Sequence, residues 1–86
     1  MKLKYNFTID ELAGAYCAMP IEDTEFIGLI RMNSTAKNVF DLLCQEITFD
    51  EIISILGNKY DVSHDLLVNE VTKIINTLDS YGIIAR

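Results

Sequence analysis

Histidine occurs once, at His64, and cysteine twice, at Cys17 and Cys44, with no CxxC spacing. A metal site wants several ligands at set intervals, so no metal is expected. Cys17 and Cys44 sit among apolar neighbours and read as two small buried hydrophobes kept reduced. His64, flanked by Ser63 and Asp65, has no nucleophile motif to serve, which excludes a serine triad. The four glycines, Gly14, Gly28, Gly57 and Gly82, are scattered, so no glycine-rich loop is available to cradle a phosphate. No apolar run approaches the roughly 20 residues that cross a bilayer. Met1-Lys2-Leu3-Lys4 soon meets Asn6, Thr8, Asp10 and Glu11, so the apolar centre of a signal peptide is missing and a cytoplasmic protein is expected. Cations are scarce as well: seven Lys and Arg stand against thirteen Asp and Glu, for a net charge of −6. Such a surface repels phosphate backbones, and nucleic acid is not an expected partner. The carboxylate pairs Asp10-Glu11, Glu22-Asp23 and Asp50-Glu51 look like turn and cap residues in water. No catalytic residue and no cofactor is expected, and the chain does not read as an enzyme.

What is present is an 86-residue chain, half of it hydrophobic, with a globular balance of apolar and charged residues. One domain over residues 1–86 is expected, and a domain of this size buries only about 60–65% of its unfolded surface. Up to Met32 the pattern alternates as strands do; beyond it, apolar residues recur every three or four positions as in helices. The first predicted strand is 7–12. Ala13-Gly14 makes a tight hairpin turn in which Gly14 can take positive φ. The second strand, 15–19, stops at Pro20, which cannot donate to a ladder. After the acidic link Glu22-Asp23-Thr24-Glu25 comes a third strand, 26–32. Three strands on short links predict an antiparallel meander with one covered face.

Asn33 and Ser34 can cap a helix over 34–44, with Ala36, Val39, Phe40 and Leu43 inward. Thr48-Phe49-Asp50-Glu51 has the form of a capping box for a second helix over 49–58, burying Phe49, Ile52, Ile53 and Leu56. Tyr60 should fold back onto the core, and Ser63 should cap a long third helix, 65–81. Its main stripe is Leu67, Val71, Ile74, Ile75 and Leu78, and Gly82 is placed to end it. Leu66 and Val68 fall outside a minimal stripe: either they are ordinary residues at a wide core boundary, or one flank of this helix lines a groove. The fold class is α+β: an N-terminal three-stranded antiparallel sheet followed by a three-helix bundle.

The segments Gly28-Leu29-Ile30-Arg31-Met32-Asn33-Ser34-Thr35-Ala36, Val39-Phe40-Asp41-Leu42-Leu43, Thr48-Phe49-Asp50-Glu51-Ile52 and Tyr60-Asp61-Val62, then a long helix ending in Gly82-Ile83-Ile84, together resemble the PqqD-like family, the peptide-binding modules also called RiPP recognition elements. The resemblance covers nearly the whole chain and rests on order and spacing, since no single motif is diagnostic. Phe40 stands where many relatives carry tryptophan, and His64 where proline is common. The resemblance implies a winged-helix-like domain that holds the leader segment of a ribosomally made precursor peptide and presents it to a modifying enzyme, often a radical-SAM protein. In that family the leader adds as a strand to the third strand and lies against the third helix. Transferred here, it would meet the backbone of Ile27, Gly28, Leu29, Ile30 and Arg31. The side chains of Leu67, Val68, Val71 and Ile75 would form the helical wall, a choice of face made from spacing.

Physical chemistry permits that mode, because a terminal strand leaves a row of N–H and C=O groups that an extended peptide can satisfy. Gly28 would let a guest backbone approach closely, or would mark a twist or bulge in the strand. Two other functions fit the same pattern of elements. A DNA-binding winged helix is one, but the third helix offers only Lys73 against Asp65, Glu70 and Asp79. A structural subunit that docks on a maturation enzyme without binding peptide is the other, and sequence does not separate it from the peptide-binding module.

Overall fold

The computed structural model describes residues 1–21 and 28–86. Its elements run β1 (Lys2–Leu3), β2 (Phe7–Leu12), β3 (Ala15–Pro20), β4 (Ile30–Met32), α1 (Ser34–Leu42), α2 (Phe49–Lys59), α3 (His64–Ser80) and β5 (Ile84–Ala85). The architecture is α+β, with β2, β3 and β4 in an antiparallel sheet ordered β2-β3-β4, followed by the three helices.

The hairpin between β2 and β3 turns on two residues, both at positive φ: 53° at Ala13 and 81° at Gly14. That is the type I′ geometry whose twist matches the flanking strands. Gly14 adopts it freely, whereas Ala13 carries a Cβ into a region that disfavours one. The third strand is shorter than the predicted 26–32. Phe26 and Ile27 lie outside the described residues, and pairing begins only at Ile30. Gly28, at φ 150°, and Leu29 precede the ladder without joining it.

The caps explain where the helices start. The Asn33 side chain accepts the Ala36 N–H at 2.8 Å, so β4 passes into α1 with one residue between them. Thr48 and Glu51 form a complete capping box, each side chain taking the other's backbone N–H at 3.1 Å. Ser63 accepts the Leu66 N–H at 3.2 Å, which brings His64 into the first turn of α3. α1 closes two residues early because the Leu43 N–H is shared between the carbonyls of Val39 and Phe40, at 3.1 Å each. At the far end of α3, the Gly82 N–H returns to the Asp79 carbonyl at 2.9 Å.

One core joins these parts. Val39, Phe40 and Leu43 meet Ile52 and Leu56 of α2 and Leu67, Val71, Ile75 and Leu78 of α3, with Ala18, Ile30 and Met32 supplied by the sheet. Phe7 meets the Phe40 ring edge-on, with centroids 5.1 Å apart. Tyr60 is half-buried against the core and hydrogen-bonds Asn38. A small second sheet, β1 with β5, was not expected. Lys2 pairs with Ala85 and Leu3 with Ile84. The Leu3 N–H reaches the Leu43 carbonyl and the Lys4 N–H the Ile83 carbonyl, both at 2.8 Å, closing Ile83 and Ile84 over the core.

The cysteines depart from expectation. Cys17 is half-buried because it alternates with Ala18, and Ala18 takes the core face. Cys44 is exposed because α1 has already ended. Its Sγ–H donates to the Phe40 carbonyl at 3.7 Å, and partial burial, with Asp41 nearby, pushes the thiol pKa up. No helix among the described residues is long and apolar enough to cross a membrane.

Candidate peptide-binding groove

Strand alternation decides which backbone groups reach the free edge. A two-residue turn is closed by a pair that exchanges hydrogen bonds, here Leu12 and Ala15. Counting by twos along β3, Ala15, Cys17 and Met19 point their N–H and C=O at β2. The next in that series, Ile21, donates to the Asn6 carbonyl at 2.9 Å, which confirms the phase. Tyr16 and Ala18 therefore turn toward β4, where their partners are Met32 and Ile30. Ile30 and Met32 are spent on the ladder. Arg31, between them, turns its N–H and C=O away from β3 toward the outer edge, where no strand of the described residues pairs with it.

The same alternation sorts the side chains. Ile30 and Met32 point into the core at 5% and 6% exposure, and Arg31 projects from the other face. Beside this edge runs a groove of about 240 Å³. Ile30, Arg31, Met32, Asn33 and Ala36 form one side of it, and Lys73, Ile74, Thr77, Leu78 and Tyr81 form the other. Its floor is Met32 and Leu78, both buried. Ile74 is half-buried, while Thr77 and Tyr81 are exposed along the rim. The Thr77 hydroxyl donates to the Lys73 carbonyl at 2.9 Å.

The residues proposed from sequence divide accordingly. Ile30 and Arg31 line the groove; Gly28 and Leu29 precede the strand, exposed; Ile27 falls outside the described residues. Leu67, Val71 and Ile75 do not face the groove. They are core residues at 4%, 0% and 4% exposure. Val68 is half-buried and lies six residues, or about 120° around the helix, from Ile74, on the opposite flank. The groove wall missed by sequence is Ile74, Thr77 and Tyr81. Its signal was a second line running beside the buried one, with Ile74 and Tyr81 seven residues apart.

Two charged residues border the groove: Lys73 on its wall, and Arg31, whose side chain projects from the opposite face of β4. Lys73 is 76% exposed and keeps only a loose 3.9 Å contact with Glu70. Lys37, one turn into α1, is differently held. Its ammonium sits 2.7 Å from Asp41, and that hydrogen bond and charge raise its pKa above the usual 10.5. A smaller hollow on the same flank of α3, about 110 Å³, is lined by Thr35, Tyr60, Val62, Leu66, Leu67 and Glu70. Among the described residues no group of three or more His, Cys, Asp or Glu side chains is placed to hold a metal.

Known proteins give this geometry its context. The chain has the fold of TbiB1, a structure solved in complex with the TbiA(beta) leader peptide, at a TM-score of 0.75 over 100% of both chains. Identity between the two is 11%, so the likeness is one of fold. No curated protein matches the sequence. The family model described as Coenzyme PQQ synthesis protein D matches residues 16–84, from the second residue of β3 through all three helices to the first residue of β5. An open-edged sheet walled by α3, on a sequence that fits that model over most of its length, places this chain in the PqqD family.

Proposed function

We propose that this protein is a non-catalytic accessory module that binds the leader segment of a ribosomally made precursor peptide and presents it to a separate modifying enzyme. The leader adds as a fourth strand outside β4, ordered β2-β3-β4-guest, and seats apolar side chains against Ile74, Thr77 and Tyr81. The observation that carries this reading is the coincidence of an outward-facing backbone at Arg31 with an apolar groove beside it. Membership of the PqqD family and the fold shared with a leader-bound protein support it.

Magnitudes fit a moderate binder. The two backbone bonds that the Arg31 N–H and C=O can make, at about 0.5–1.5 kcal/mol each, are largely offset by the cost of ordering a flexible peptide. Two or three apolar anchors add about 1.5–3 kcal/mol apiece. Three well-buried anchors would bring the balance toward about −8 kcal/mol, a Kd of about 1 μM. The DNA-binding alternative is disfavoured by the structure: Lys73 is the one cation of α3, and it stands beside Glu70.

Titration of ¹⁵N-labelled protein with peptides covering candidate leaders tests the proposal. Shifts concentrated at Leu29–Asn33 and Ile74–Tyr81 are expected. A protein that docks on its enzyme yet shows no shifts with any leader would be a structural subunit, and the proposal would fall.

A further inference from the structure

Resting on strand addition at β4, we infer that the leader this groove selects carries an acidic residue between two apolar ones, with the acid opposite Arg31. Register supplies the pattern. Whichever way the guest runs, its residue beside Arg31 projects from the same face as the Arg31 side chain, and its two neighbours project from the face of Ile30 and Met32. Those neighbours enter the groove and meet the apolar wall of Ile74 and Tyr81. The residue between them stays outside the groove, next to a guanidinium.

Charge then selects its chemistry. The protein as a whole is acidic, at −6, yet the charged residues bordering this groove are both cations, Lys73 on its wall and Arg31 with its side chain on the opposite face of β4. A carboxylate across the strand from Arg31 forms a favourable cross-strand pair, whereas a lysine or arginine there is repelled. Lys73 on the facing wall adds to the same field, which speeds encounter with an anionic peptide and disfavours a basic one. The selected class is therefore an acidic peptide with alternating apolar side chains.

A displayed library of random twelve-residue peptides, selected on the intact protein, tests this. Enriched peptides should share an apolar–Asp/Glu–apolar triplet and shift the amides of Leu29–Asn33. Their affinity should fall about tenfold on Arg31→Glu, and a peptide with lysine in place of the acid should regain it on that variant. Arg31 is exposed, so unchanged circular dichroism of the variant is expected and is checked first. Enriched peptides that shift Leu29–Asn33 without an acidic preference would overturn this inference and leave strand addition standing. Selection of no peptide that moves β4 would overturn both.

Discussion

The sheet has two outer strands, and they are unequal in an unexpected way. β2 offers six residues and β4 three. Yet β2 runs out from the core, with Asp10, Glu11 and Leu12 all exposed and Leu12 at 73%. β4 is short but anchored by two buried side chains, leads directly into α1 and is walled by α3. The comparison teaches that backbone bonds alone do not make an edge into a receptor. Bonds exchanged with water yield little net energy, so the side that also offers apolar surface wins.

The largest expected effect comes from the core beneath the wall. Val71→Asp buries a lone charge at a position with 0% exposure and should cost about 4 kcal/mol, unfolding much of the protein in a urea titration. Retention of full stability with loss of peptide binding would instead return Val71 to the groove. Thr77→Trp acts from the exposed rim. It should fill the groove, leave helix content unchanged by circular dichroism and weaken leader binding more than tenfold by calorimetry. A third pair of variants compares the two edges directly. Arg31→Pro removes the outward N–H, and measured against Arg31→Ala it should weaken binding about threefold to tenfold. Glu11 turns outward on β2 by the same count of twos, and Glu11→Pro should leave affinity unchanged. Equal effects at both edges would erase the distinction. The smallest effect lies in the hairpin: Ala13→Gly relieves an L-residue at φ 53° and should stabilise the fold by about 1 kcal/mol, a rise in Tm of about 4–8 °C, without altering binding.

Local chemistry made much of the fold legible. Asn33, Thr48 with Glu51, and Ser63 each announce a helix start through a side chain that can take a free N–H, and each does so in the structure. Strand pairing was harder. Phe26–Met32 reads as one apolar stretch, but φ 150° at Gly28 interrupts the strand geometry just before the ladder begins. β1 and β5 have two residues each, too few to show a period. The groove wall was hardest. Ile74 and Ile75 are identical in sequence terms and differ by 100° around the helix, so only packing decides which is buried. Ile75 goes to the core and Ile74 to the groove.

The two-residue sheet of β1 and β5 brings residues 2 and 85 side by side, while the groove draws no residue from either strand. These two strands thus close the fold at a seam away from the receptor. A short linker across that seam, with new termini opened at Ala13-Gly14, should give a circular permutant that still captures its peptide. By the same token, this module could be spliced into a loop of a larger enzyme with its binding face unobstructed.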